Sequence, residues 1–418
     1  MMRVETDKFA LKKLSVFLFV SIIVLLSPAL SHAQFSDTSV KFDTSEVRTQ
    51  GEGTLENYDF TTQTNAPLTY ELSLEASGVQ DVYDYSGMAV YLGMAPAVKV
   101  MESGHVKTIK IKKNAPVLSD GEWTGFKGRF KAVLLRSETG TVTIMNDGVT
   151  VDWPVGVVPD LKILRGRQDT EMAPNIEGLV DIRTVQYAHL PRWMRVLCRV
   201  VEGIYKTIQS VTGLGWALSL LIFAIVIKLL LFPIAMLTAR FQSQANAHKT
   251  ALEPIFDNIK KNYKGETAHK KTMAAYKGRG ITPYYSLKPL LATMISLPVL
   301  IAIFNMLGEV EPLRGTSAFW IGSLAYPDAI STLPTKLPLF GESLNLLPFI
   351  MAGVTFFSAY TLKSSTASLR EIGRQKRNLF LMGTTFFLIF YPFPSAMVLY
   401  WTLSTMLQLI ANKFIKNT

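Results

Sequence analysis

Cysteine, charge and histidine are all scarce in this chain of 418 residues. A single cysteine, Cys198, rules out an intrachain disulfide, so an exported domain here must rely on its core alone. Charged residues make up 18% against 49% hydrophobic, which is low for a soluble protein. Between residues 36 and 165 there is one histidine, His105, and the acidic residues are scattered. That leaves no metal-ligand or acid–base constellation there. No glycine-rich phosphate loop occurs, so nothing points to a nucleotide.

The apolar residues that are present are unevenly spread. Before about Val211 polar and apolar positions alternate, and after it come long apolar runs. The shift predicts a soluble half followed by a membrane half. The formal net charge of +11 falls largely in short loops between apolar runs. That pattern reads as membrane topology rather than sequence-specific nucleic-acid binding.

Lys8, Lys12 and Lys13 precede the apolar run Leu14–Leu26. Those 13 residues are too short for a hydrocarbon core of about 30 Å. Pro28 and then Ser31-His32-Ala33 follow, so residues 1–33 read as a secretory signal, with an uncleaved signal anchor as the alternative. Either reading places the next segment outside the cytoplasm.

Leu68, Tyr70, Leu72 and Leu74 alternate with polar residues, the period of a half-buried strand. Thr141–Met145 and Val149–Trp153 flank Asn146-Asp147-Gly148 and predict a hairpin. Ile109, Ile111, Phe130, Val133 and Leu135 mark further strands. An all-β sandwich is expected over residues 34–165, with a binding or scaffolding role; a carbohydrate-binding module would share that pattern. Residues 166–210 form a linker and a helix in which Arg192, Arg195 and Arg199 face away from Trp193, Val196, Leu197, Val200, Val201 and Ile204. This predicts an amphipathic helix on the outer membrane surface, or else one packed on the sandwich.

Residues 211–418 hold five apolar runs: Gly213–Leu237, Leu287–Leu307, Leu346–Leu362, Leu379–Tyr391 and Ala396–Ile410. The last two are joined through Pro392-Phe393-Pro394 as a tight hairpin. Thr238–Ser286 carries nine Lys/Arg and Lys363–Asn378 five, whereas Gly308–Asn345 carries only Arg314 and Lys336. The positive-inside rule puts the first two loops and the C-terminus in the cytoplasm. Within residues 238–286, apolar positions around Lys264-Gly265 predict a charged helical hairpin projecting into the cytoplasm, with a docking role.

Lys228 sits in the middle of the first apolar run. A charge there costs at least about 2.5–3.5 kcal/mol on insertion scales, and the side chain is too short for easy snorkelling. None of the five runs contains Asp, Glu or His. The remaining solution is a polar, water-filled cavity, for which Thr293, Ser296, Asn305, Thr355, Ser358, Thr384, Thr385, Thr402 and Gln408 are candidate lining groups. Thr and Ser in spans commonly bond their own helix backbone instead.

With these residues in hand, the stretch from about Leu190 to Lys413 resembles the YidC-type insertases, the bacterial branch of the Oxa/Alb superfamily. Gly215-Trp216-Ala217-Leu218-Ser219, Lys228 and Phe232-Pro233 are similar to the family's first core span. Thr282-Pro283, Pro289 and Pro298 resemble the second, Phe319-Trp320-Ile321 the loop after it, and Leu347-Pro348 with Gly353–Phe357 the third. Phe393–Trp401 resembles the family's most specific stretch. Lys228 stands where the family has a groove arginine, keeping the charge without the planar fork. The Pro289–Pro298 segment is about one turn longer than usual, with Thr293 near the place of a common glutamine, and the β-domain is smaller.

The resemblance implies a five-helix insertase core in a bacterial inner membrane, with a periplasmic β-domain, a cytoplasmic C-terminus and no cofactor. It implies nascent membrane proteins as clients, with the Sec translocon, the ribosome and the lipid bilayer as partners. Its groove would attract polar or acidic segments through Lys228, without enzymatic chemistry. A small-solute channel or transporter is the alternative, although the five runs show no internal repeat. An intramembrane enzyme built on a serine–lysine pair with Lys228 is a third.

Overall fold

The computed structural model describes residues 46–50, 53–59, 67–74, 97–100, 106–109, 117–119, 121–145, 148–168, 182–279, 288–337, 340–361 and 368–415. The expected signal segment, His105, Ile111, Asn146 and Asp147 lie outside them. The chain divides into two compact units. One is Pro28–Gly203 with Ala302–Pro312; the other is Met1–Ser27, Ile204–Ile301 and Leu313–Thr418.

Among the described residues the first unit carries eleven strands: β1 (Glu46–Gln50), β2 (Gly53–Asp59), β3 (Leu68–Ser73), β4 (Ala97–Val100), β5 (Val106–Ile109), β6 (Val117–Ser119), β7 (Trp123–Lys127), β8 (Lys131–Arg136), β9 (Thr141–Ile144), β10 (Gly148–Trp153) and β11 (Asp160–Arg167). They make a seven-stranded sheet in the order β1-β2-β11-β8-β7-β4-β5 and a four-stranded sheet in the order β3-β10-β9-β6. Phe126, Val133, Leu135, Leu161 and Ile163 of the larger sheet share one buried cluster with Leu72, Val142, Ile144, Val149, Val151 and Trp153 of the smaller. This is sheet-on-sheet packing with alternate side chains turned inward.

The opposite face of the larger sheet is buried too. Val98, Trp123, Ala132, Leu134 and Leu164 pack there with Ile182, Val185 and Ala188. A strand covered on both faces needs no alternation, which explains the continuous apolar run Ala132-Val133-Leu134-Leu135 in β8. The expected hairpin is present: Ile144 pairs with Val149, and Met145 N donates to Gly148 O at 2.9 Å. Phe130 is buried but lies in the turn between β7 and β8 rather than in a strand.

Helix α1 (Arg192–Thr212) runs from the first unit into the second. Its apolar residues form the expected face opposite Arg192, Arg195 and Arg199, but that face is not uniformly exposed. Met194, Cys198, Val201 and Tyr205 are buried, whereas Trp193, Val196 and Val200 are more than half exposed beside Arg192 and Arg199. Part of the face is spent on packing, and the rest stays exposed.

In the second unit α2 (Trp216–Asn262) is continuous through Pro233 and Pro254. At 1.5 Å per residue its 47 residues reach about 70 Å, more than twice the thickness of a hydrocarbon core. The first arm of the expected cytoplasmic hairpin is therefore a prolongation of the first apolar helix. It turns at Tyr263 and Lys264, where Gly265 has φ +60°, a backbone region open to glycine. Helix α3 (Gly265–Gly278) returns along it, with Phe256 and Tyr276 in edge contact at 5.2 Å.

The remaining helices are α4 (Lys288–Glu309), α5 (Leu347–Tyr360), α6 (Leu369–Phe390) and α7 (Ser395–Ile415). Helix α6 begins ten residues before its apolar run because Ser368 caps it, accepting from Glu371 N at 3.2 Å. The segment between α4 and α5 contains a hairpin, β12 (Ser331–Leu337) and β13 (Gly341–Leu344), that its sequence does not announce. Among the described residues one helix, α2, is long and apolar enough to cross a membrane. Met294–Glu309, Leu347–Tyr360 and Ser395–Ala411 are shorter apolar stretches.

Candidate functional site

Helix α2 buries one stripe of its apolar segment, formed by Ser219, Leu220, Phe223, Ala224 and Ile227. Phe223 meets Tyr400 of α7 at 6.0 Å between ring centres, and Tyr205 donates to Trp216 O at 2.7 Å at the head of the helix. Leu218, Ile225, Leu229 and Leu230 are exposed. Lys228 stands at the border of these two surfaces. It is one turn from buried Ala224, next to buried Ile227 and next to exposed Leu229. Its side chain is half-buried, and among the described residues it has neither an ion pair nor a hydrogen-bond partner. A cation without a partner can persist there only if polar groups or water reach it.

The predicted lining groups divide by what their side chains do. Thr355, Thr384 and Thr402 donate to the carbonyls of Met351, Phe380 and Val398, four residues back in their own helices, at 2.9, 3.1 and 2.7 Å. These hydroxyls keep acceptor capacity but have used their proton. Ser296, Ser358, Thr385 and Gln408 are half-buried, and the side chain of Thr293 lies outside the described residues. Asn305 belongs to the first unit, where its Oδ1 is 2.8 Å from His189 Nε2. Within the second unit, α5 and α6 approach closely at Thr355, because a Cβ added to Gly383 would lie 2.8 Å from the Phe356 ring and 3.1 Å from Thr355 Cγ2.

Beyond the apolar segment, α2 and the first turns of α6 are joined by polar groups. Lys249 pairs with Glu371 at 3.1 Å and Arg370 with Asp257 at 3.1 Å. Gln375 Nε2 donates to buried Asn246 Oδ1 at 3.1 Å, and Ser368 N to Thr250 Oγ1 at 3.0 Å. These pairs fix where two basic segments meet. Lys260, Lys261, Lys264, Lys270 and Lys271 farther out remain exposed.

The first unit holds a polar cluster that sequence reasoning missed. Lys127 Nζ and Glu309 Oε2 form a fully buried ion pair at 3.0 Å. Tyr187 N also donates to Glu309 Oε2, at 3.1 Å. Arg129 Nε donates to Gly308 O. His189 Nδ1 lies 3.7 Å from Glu309 Oε1. Burial pulls the Lys127 ammonium below its ordinary range, against the attraction of Glu309. Burial also lowers His189, with the Glu309 charge opposing it. Lys127 and Glu309 are 182 positions apart, and no local pattern links them. In the structure Lys127 ends a strand that is buried throughout, and that burial is not marked in the sequence.

Comparison with known proteins follows the membrane half. Residues 207–418 match the family model described as 60Kd inner membrane protein. The chain is 34% identical over 224 residues to a protein named membrane protein insertase YidC from Chlamydia trachomatis, covering 51% of this chain and 27% of that protein. The Chlamydia muridarum protein of the same name is 33% identical over 215 residues, covering 50% and 26%. That of Chlorobaculum parvum is 26% identical over 206 residues, covering 49% and 33%. The matched part thus spans about a quarter to a third of these relatives' own length.

Proposed function

The chain belongs to the 60Kd inner membrane protein family, and from that premise we propose that it inserts newly made membrane proteins into a bacterial inner membrane. The observation that carries the reading is Lys228, which among the described residues is a half-buried cation without a partner, on the one described helix long and apolar enough to span. Five spans are assigned to α2, α4, α5, α6 and α7, with residues 34–165 as a periplasmic sandwich, 166–210 as linker and interfacial helix, and 238–286 and the C-terminus in the cytoplasm.

On this reading the groove beside Lys228 accepts the polar segment of an arriving chain. The ammonium attracts acidic or polar groups, and Ser296, Ser358 and Gln408 offer polar atoms along the way, with Thr293 and Thr385 in the same set and Thr355, Thr384 and Thr402 serving as acceptors. Asn305 is left to the His189 cluster. A polar pocket shortens the hydrocarbon path that the segment must cross. The client's apolar helix then leaves sideways into lipid, stabilised by about 0.8 kcal/mol per buried CH₂. No covalent bond is made or broken, so no catalytic residue is assigned. The exposed lysines of the α2–α3 hairpin suit an anionic docking partner such as the ribosome, and the Sec translocon is a second candidate partner.

The test is insertion of a small client with a short translocated segment into proteoliposomes that contain the purified protein, read by protease protection. Protection well above that in empty liposomes is expected. Equal protection in both would remove the function.

A further inference from the structure

We propose that the turn Phe319-Trp320 is a lipid anchor, seated in the headgroup and upper acyl region of the outer leaflet. The loop from Gly315 to Ile330 carries one charged residue, Asp328, and that residue is buried at 4% exposure. Its Oδ2 accepts from Leu346 N and Leu347 N at 2.8 Å each and from Trp320 Nε1 at 3.0 Å. One carboxylate oxygen therefore satisfies the first amides of α5 and holds the indole at their level.

A second set of bonds fixes the same level independently. Tyr326 O accepts from Ser395 N at 2.9 Å and from Ser395 Oγ at 2.7 Å, and Leu324 O accepts from Ala396 N at 2.9 Å. The loop is thus tied to the first turns of both α5 and α7. Where those helices enter the bilayer, the loop lies at its surface.

The tip is built to expose apolar rings. Ala318 and Ile321 exchange both backbone hydrogen bonds, at 3.0 and 2.8 Å, closing a two-residue turn. Phe319 takes the position with φ +54°, a region that favours glycine and is strained for an aromatic residue. Phe319 is 77% exposed and Trp320 43%, while Ile321 next to them is buried. Ile330, Leu346 and Phe349, on either side of the Asp328 bonds, are exposed as well. A surface patch with aromatic rings, a polar indole edge already bonded and no outward charge fits the boundary between headgroups and acyl chains. It continues the apolar surface of α5 rather than matching a charged partner.

The inference rests on the reading that α5 crosses the bilayer, and one experiment separates the two. A nitroxide is attached to Phe319→Cys, and separately to Phe357→Cys in α5, in a Cys198→Ala background. Both proteins are reconstituted in phosphatidylethanolamine–phosphatidylglycerol vesicles, and collision with oxygen is compared with collision with a water-soluble nickel chelate. Phe357 is exposed on α5 ten residues beyond its first residue, about 15 Å along the axis. The expected result is oxygen dominance at both sites, stronger at 357. Oxygen dominance at 357 with nickel dominance at 319 would overturn the anchor alone. Nickel dominance at 357 would overturn the span and the anchor with it. If Phe319→Cys does not fold, exposed Ser317→Cys at the base of the turn gives the same reading.

Discussion

Lys127 in the β unit and Lys228 in the longest helix are both lysines set among apolar side chains, with opposite solutions to the cost. Lys127 is fully buried and meets a fully buried carboxylate, Glu309, at 3.0 Å. Lys228 is half-buried and meets no charge among the described residues. A buried ion pair that also takes a backbone amide, here Tyr187 N on Glu309 Oε2, is a structural joint, and losing either partner strands the other. A cation at an apolar border with no partner contributes little to packing and stays available to something that arrives. The difference separates the part of the molecule that holds shape from the part assigned to transport.

The largest effect should come from breaking the joint. Lys127→Met leaves Glu309 buried alone and should destabilise the first unit by about 3–5 kcal/mol. The measurement is unfolding in detergent followed by tryptophan fluorescence, since Trp123 and Trp153 lie in that unit's core. The double variant Lys127→Met/Glu309→Leu should recover most of the loss. A double variant as unstable as the single one would show that the pair is more than a joint. Lys228→Ala, by contrast, should leave the unfolding curve nearly unchanged.

A smaller effect is expected in the second unit at the α5–α6 contact. Gly383→Leu would drive a side chain against Phe356 and Thr355, at about 1–3 kcal/mol for overpacking. Thermal stability in detergent reads it, and no loss would mean that the two helices are free to separate.

The smallest effect is the response to acid, which should fall on the first unit. The folded state holds His189 below its usual 6.5, chiefly by burial. A base whose folded value is lowered binds more protons when unfolded, so its contribution is complete above about 6.5 and is lost as pH falls through the lowered value. Asp160 behaves alike at lower pH. Burial alone would raise it, but donors from the Thr139 hydroxyl, Glu138 N, Thr139 N and the Ser137 hydroxyl outweigh that and hold it below its usual 3.8. Its contribution is present above 3.8 and is lost on acidification through the depressed value. Unfolding midpoints from pH 8 to 3 should therefore fall in two stages, and His189→Gln should remove the first.

The sandwich, the hairpin at β9 and β10, the Lys264-Gly265 turn and the helical runs were all readable in the sequence, because each rests on a local period or a local turn residue. The two-faced burial of β8, the split of the α1 apolar face into packed and exposed parts, and the unbroken course of α2 through two prolines were not. Each depends on what lies across from the residue rather than beside it. Lys228 stood out from its neighbours alone, whereas Lys127 needed Glu309 from the end of α4. The threonines expected to line a groove show the limit from the other side. Their types suit a polar lining, but three of them bond their own helix backbone.

The proposed insertion function depends on the charge at position 228. The direct measurement is protease protection of a client with an acidic translocated segment, made in the presence of the Lys, Arg, Ala and Glu forms at equal protein levels. The expected result is that Lys228→Arg keeps most activity, that Lys228→Ala loses a large part of it, and that Lys228→Glu falls lower still, because a carboxylate there repels the segment. A client with a short neutral segment should be less affected throughout. Equal insertion by all four forms would contradict it.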